Sequence, residues 1–252
     1  MDEPRFVVSD EVWARMAPLL PGKEGDSGAT GRDNRMFVEA VLWRVRTGAS
    51  LARSARGVRR LEQRVPALPK VGEGGRVRAH LQRDARHTGL RVRPRRRHHR
   101  PGPPEGFGRK RETRHQAIGR SRGGLTTKIV ALVDGLGNLA DFVLLPGQAH
   151  DLRGAAPLIE DVLFGALLAD KAFDADWLLE TLDARGATAV IPPKSNRKQR
   201  RDYDEDGSGW RHLIENYFAK IREFRAIATR WEKTASSYAA NRHLAAAIIA
   251  AR

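Results

Sequence analysis

Apolar side chains in the first fifty residues recur at helical spacing. Val12, Trp13, Met16, Leu19 and Leu20 mark a helix over 8–20. Ser9 is placed to cap it, Asp10 and Glu11 suit its first turn, and Pro18 should distort or end its last. A second helix is predicted over 34–47. Asp33 opens it, Phe37, Ala40, Val41 and Arg44 run along one side, and Gly48 stops it. Two short amphipathic helices suit a helix-turn-helix-like DNA reader or, equally, a small helical cap on a larger domain.

Beyond residue 125 the period changes. Thr127–Asp134 is a buried-strand run, Gly135–Asn138 a turn, and Leu139–Leu145 a second strand, so 127–145 is predicted to be a hairpin. Pro146 and Gly147 break it. Leu152, Ala156, Ile159 and Leu163 give helical spacing to 151–164. Gly165–Asp170 is a short buried strand that ends in a carboxylate. Helix follows over 174–185 with Gly186 as its stop, then strand over 188–191 before Pro192 and Pro193. After a polar loop, a long helix is predicted from near Trp210 to about Ala228, and an Ala-rich one over 235–250. The order β-β-α-β-α-β-α is an α/β layout with a mixed sheet.

The middle of the chain breaks this pattern, and here composition matters. Of 252 residues 40% are hydrophobic and 30% charged, with 46 Lys and Arg against 30 Asp and Glu. Residues 51–117 hold 18 of the Arg, two Lys and only five acids, so almost all of the net charge of +16 lies there. They also hold six Pro and eight Gly and show no sustained period of 2 or 3.6, which predicts no buried element. A basic arm that neutralises phosphates is one reading, and a linker without a function is another. The lack of Cys excludes a disulfide scaffold and a Cys-ligated zinc site. No apolar run approaches the length of a membrane span, Leu244–Ala251 being the longest candidate, and the N-terminus has no signal-peptide pattern. A soluble intracellular protein with a polyanionic partner, nucleic acid first, is therefore expected.

Two carboxylates are candidates for chemistry. Asp170 ends a buried strand, where open α/β sheets place functional groups. Glu215 lies four residues after Arg211, on the same helix face. An Asp and a Glu so placed could converge on Mg²⁺, and a two-metal site suits in-line phosphoryl transfer. On pattern alone, a turn-forming Asp and a solvated Glu weigh more.

The blocks Arg120–Lys128 (RSRGGLTTK), Leu144–Asp151 (LPGQAHD), Leu168–Asp176 (LADKAFDAD), Val190–Arg197 (VIPPKSNR) and Arg211–Lys233 (RHLIENYFAKIREFRAIATRWEK) closely resemble bacterial insertion-sequence transposases of the IS-five group. Leu19–Gly48 resembles their helical N-terminal domain. The resemblance implies a ribonuclease-H-like mixed sheet with flanking helices, and an Asp-Asp-Glu triad holding two Mg²⁺ for strand cleavage and strand transfer. It implies terminal inverted repeats and target DNA as partners, a homo-oligomer on the DNA, and a cytoplasmic, nucleoid-associated location. Asp170 matches the second catalytic Asp, and Glu215 the catalytic Glu; both would be metal ligands. Arg211 matches the Arg of a Tyr-x2-Arg-x3-Glu-x6-Lys signature, where it would orient the carboxylate or hold a phosphate. Ser208 stands where Tyr is usual, and Arg222 where Lys is usual. Arg120, Arg122, Lys128, Arg197, Lys198 and Arg222 are the expected DNA contacts. Asp174 and Asp176 rank behind Asp170, with capping of the 174–185 helix as their favoured role.

The first catalytic Asp is missing. In the family it sits upstream in a strand, in a phrase such as Val-Asp-Ala-Thr-Ile-Val-Arg-Val, and 51–117 holds nothing similar. A GC-rich coding of that phrase, read one base earlier, translates as Arg-Arg-Arg-His-His-Arg-Pro-Gly, which is residues 95–102. Leu51–Arg56 (LARSAR) is likewise what the family's Trp-Arg-Asp-Leu-Pro-Glu gives in the shifted frame. On this reading the Asp codon overlaps Arg96, frame is lost near Ser50, and it is regained before Gln116. The organisation expected is thus a helical DNA-binding domain over 1–50, an Arg/Gly/Pro-rich segment over 51–117 that is disordered or frameshift-derived, and an incomplete catalytic domain over 118–252. The strand of the first Asp should be central, and its loss should leave the 127–145 hairpin with an exposed edge. Asp134, at the end of a hairpin strand, is a poor substitute. A non-catalytic basic nucleic-acid binder and a ribonuclease-H-like nuclease that cuts without joining are the other functions considered.

Overall fold

The computed structural model describes residues 8–20, 33–48, 116–122, 124–198, 201–232 and 234–251, and the backbone of 88–96. Its elements group into two units, one drawn from residues up to 77 together with 221–252, the other from 78–220.

The second unit is built on one mixed sheet. Its strands are β1 (Thr88–Arg96), β2 (Gly119–Ser121), β3 (Gly124–Val133), β4 (Leu139–Pro146), β5 (Ala166–Ala169) and β6 (Thr188–Val190). The main ladder runs β4-β3-β1-β5-β6, antiparallel across β4, β3 and β1, then parallel through β5 and β6, while β2 folds onto the start of β3. The hairpin is where the sequence predicted it. Ile129, Val130, Ala131, Leu132 and Val133 are all buried, so β3 is covered on both faces and reads as an unbroken apolar run rather than an alternation. Val130 and Leu132 pack with Leu158, Leu167, Phe173, Leu178, Leu182 and Ile191 in one core. Full burial of such side chains contributes about 1.5–3 kcal/mol each. The helices α3 (Ala155–Ile159) and α4 (Asp176–Ala184) supply part of that core. Gly154 lets α3 approach the sheet, because a Cβ there would lie 2.4 Å from a Val130 methyl. The predicted 151–164 helix is shorter: a 3-10 turn at Asp151–Gly154 precedes α3, and Leu163, past its end, is 93% exposed.

Two expectations about the basic middle fail. A strand is present at Thr88–Arg96, and it is central: Gly89–Arg96 pair with β3, and Thr88–Leu90 pair with β5. The hairpin therefore has no exposed edge on that side. The reason is that a ladder is made of main-chain N–H and C=O groups, which every residue but Pro supplies in full. Leu90 and Val92 alternate too briefly to register as a pattern. The other residues of 51–115, including Arg97–Gly102, lie outside the described residues.

The first unit is helical. Its elements are α1 (Asp10–Met16), α2 (Asn34–Thr47), α7 (Arg225–Thr229) and α8 (Ala235–Ala251). The caps follow the sequence: Ser9 Oγ accepts from Val12 N, Asp33 Oδ1 accepts from Met36 N at 2.8 Å, and Gly48 closes α2 at φ +69°. The buried residues of α2 are Val38, Glu39, Ala40, Leu42 and Val45, so of the predicted stripe only Ala40 is buried and the face is centred one residue round. Glu39 on the same helix accepts from Val8 N at 2.8 Å, which explains a buried carboxylate there. Residues 225–251 pack with the N-terminal helices: Arg15 bonds the Ala251 carbonyl at 3.3 Å, and Arg44 lies 3.9 Å from Glu232. From α8, Asn241 donates to Glu232 Oε1 at 2.6 Å, and Tyr238 donates to the Ile227 carbonyl at 2.9 Å. Arg230 and Arg242 lie over the Tyr238 ring, at 5.1 and 5.9 Å. Among the described residues no helix is long and apolar enough to cross a membrane.

Candidate active site

After β6 the chain continues with α5 (Glu205–Ser208), a 3-10 turn at Gly209–Arg211, and α6 (His212–Ile221). The predicted helix from Trp210 to Ala228 is thus broken. Arg211 lies in the 3-10 turn ahead of α6 rather than on one helix with Glu215 as expected, and Arg222 falls in a turn after α6. Glu215 sits in the first turn of α6 and is exposed.

Asp170 follows β5 directly. Its Oδ1 accepts from Ala172 N at 2.8 Å and caps the 3-10 turn Lys171–Phe173. The bland local role is therefore real, yet the residue is only half-buried and opens onto a cavity of about 530 Å³. Lys171, Ala172, Pro192, Lys194, Ser195, Asn196 and Arg211 share that lining. The structure so brings Asp170 and Arg211 to one site. Glu215 is not part of the lining.

Asp174 behaves differently from the expectation. The cap of α4 is Ala175, without a side-chain bond, and Asp174 is buried instead. It accepts from Lys194 N at 2.8 Å and from Arg197 Nη1 at 2.7 Å. Arg197 Nη2 bonds Asp176. The hydrogen bond to Asp174 raises the Arg197 pKa against a lowering by burial, and the Asp176 pair adds to the rise. Arg197, expected to touch DNA, is thus engaged inside the protein. Lys128 is too: its Nζ donates to Asp151 and to the Ala149 carbonyl. Arg120, Arg122, Lys198 and Arg222 are exposed. Asp134 is buried in the hairpin turn, where its carboxylate accepts from Leu136 N and Asn138 N. That use removes it as a substitute catalytic group.

Sequence reasoning passed over Lys171, Lys194, Ser195 and Asn196 as site residues. The signal for the last three was a polar run straight after the Pro192-Pro193 stop.

Comparison with known proteins defines the class. The Transposase DDE domain family matches residues 87–250, and "Putative transposase of IS4/5 family" matches residues 8–53. The chain belongs to the DDE transposases of insertion sequences, a class that cleaves DNA strands and transfers them. It is similar to a Brucella ovis protein named "Putative transposase for insertion sequence element IS6501", with 35% identity over 127 residues, half of this chain and 98% of that relative. No solved structure matches.

Members of this class typically use divalent metal. Among the described residues, no three His, Cys, Asp or Glu lie together as a metal site would need. Among the described residues, Asp170 on the cavity and Glu215 outside its lining do not make up a two-metal centre.

Proposed function

We propose that this chain is a DNA-gripping insertion-sequence transposase that, as its sequence stands, performs little or no strand cleavage or transfer. One observation carries the reading. Parallel pairing of Leu90 with Ala169 brings β1 level with the approach to Asp170, and β1 reads Thr-Gly-Leu-Arg-Val-Arg-Pro-Arg-Arg, without a carboxylate. The central strand that should deliver the first acidic group delivers none. The mixed sheet and its flanking helices support a ribonuclease-H-like domain as the scaffold. A frame-shifted coding segment accounts for an Arg-rich central strand in an otherwise ordinary domain.

What remains is a cationic cleft. Lys171, Lys194 and Arg211 outnumber Asp170 in the cavity, which suits a phosphodiester. Exposed Arg120, Arg122, Lys198 and Arg222 suit further backbone contacts. The helices α1 and α2 are the expected readers of the element ends. The test is a strand-cleavage assay on an oligonucleotide carrying the element ends, with Mg²⁺. The expected result is binding without nicked or joined product. Turnover that disappears in Asp170→Ala would overturn the proposal.

A further inference from the structure

One wall of the Asp170 cavity is the segment Pro192–Asn196, and it is fastened from behind by one buried carboxylate. Asp174 Oδ2 accepts from Lys194 N at 2.8 Å, and its main-chain oxygen accepts from Lys194 Nζ at 2.9 Å. Asp174 Oδ1 accepts from Arg197 Nη1 at 2.7 Å, and Arg201 approaches it at 3.9 Å. Arg197 also grips Asp176, and its own N–H closes a turn onto the Lys194 carbonyl at 3.1 Å. The Asp174 side chain has no solvent exposure. A surface loop needs few such anchors, because water satisfies its main chain. Here they leave Ser195 and Asn196 at the cavity, which they share with Lys171 and Arg211.

We infer that Asp174 and Arg197 are positioning residues that lock Lys194–Asn196 as a phosphate-facing wall of the cleft. Arg197 acts through the wall and makes no phosphate contact of its own. The inference rests on the proposed DNA-gripping function.

The sign of one substitution separates the two roles of Arg197. If Arg197 held phosphate directly, Asp174→Asn would free it, remove a negative charge near the DNA, and tighten binding. A lock requires the opposite: Asp174→Asn weakens duplex binding by about tenfold, the scale on which supporting partners act on the groups they orient. Binding is measured on the full chain between roughly 50 and 200 mM salt, with melting temperature followed alongside. Hydrogen exchange of the 192–198 peptide localises the effect. DNA should slow it in the wild type, and Asp174→Asn should leave it fast with and without DNA. Unchanged or tighter binding, or protection retained in the variant, overturns the lock.

If Asp174→Asn does not fold, Arg197→Ala decides. A lock lowers affinity at an unchanged salt slope, whereas a lost phosphate contact lowers the slope by about one. A wild type that binds no DNA defeats the proposed function separately. Faster exchange of 192–198 in the free variants then still supports the lock, and equal exchange overturns it.

Discussion

Strands β3 and β1 lie side by side through eight residue pairs and differ in almost everything except backbone. Strand β3 is an apolar run buried on both faces, at the heart of the core of its unit. Strand β1 reads as four Arg, one Pro and two aliphatic residues among nine, and it occupies the middle of the sheet. A sheet position is filled by hydrogen-bonding main chain, and main chain is the same in both. Chemistry is carried by side chains. A fold can therefore keep a central strand whose side chains differ wholly from those of its neighbour, and the proposed loss of a catalytic group needs no loss of the strand.

The sharpest way to break this contrast is to rewrite the strand chemically. Recoding residues 51–115 in the proposed neighbouring frame, which would put Val-Asp-Ala-Thr-Ile-Val-Arg-Val in place of residues 95–102 and let the central strand take a new register, should raise Mg²⁺-dependent cleavage from background by on the order of 10⁴-fold, the scale of restoring one member of a catalytic set. Asp170→Ala should then abolish it. If the rewritten chain stays silent, the missing Asp is not what disables it. Resequencing the coding DNA across codons 45–120 checks the same idea without protein.

On the β3 side the expected losses are structural. Leu132→Ala should cost about 3 kcal/mol through its cavity, and Gly154→Ala about 2 kcal/mol by driving a methyl against Val130. Urea unfolding measures both. A Gly154→Ala protein as stable as wild type would mean that α3 can slide off the sheet.

The two Asp residues after β5 extend the contrast to single side chains. Asp174→Ala should cost about 2 kcal/mol, because buried donors lose their acceptor. Asp170→Ala should cost about 1 kcal/mol or less, since it removes one cap of a short turn. Equal losses would place Asp170 among the structural residues instead.

The smallest effect lies in the helical unit. Burial pushes the Glu232 carboxyl above its ordinary range, against the pull of Asn241, Arg44 and Arg230. A raised carboxyl favours the folded state at low pH, and that contribution is lost as pH rises through its folded pKa. The melting temperature of wild type relative to Glu232→Gln should therefore climb by roughly a few degrees as pH falls through the carboxylate range. A difference that stays flat would show that the Glu232 carboxyl is not raised, and one that falls as pH falls would show that it is held charged.

How much of this was legible depended on whether the deciding partner was near in sequence. The caps at Ser9, Asp33 and Gly48 act over three or four residues and were readable, as was the hairpin with its turn at Gly135–Asn138. Asp174 was misassigned to the nearest helix because its partners, Lys194 and Arg197, are 20 and 23 residues away. The break after Ile221 was invisible because Phe218, Ile221, Phe224 and Ile227 continue at spacing three straight through it. Strand β1 was invisible because its position is set by its neighbours. Of the site, the blocks named Asp170 and Arg211, which the structure unites, whereas Lys171, Lys194, Ser195 and Asn196 needed the fold to bring them together.

The helical unit draws on stretches from opposite ends of the sequence, with α2 beside α7 and α8. That layout sets an order of events during synthesis. Helices α1 and α2 leave the ribosome well before α7 and α8, and meet these partners only after the whole sheet has been made. At ordinary elongation rates the interval is on the order of ten seconds or more. Through that time Val38, Leu42 and Val45 have no helical partner from the 221–251 stretch, so the nascent chain is open to chaperone capture and to proteolysis around α2. A premature stop anywhere before codon 221 would make that exposure permanent.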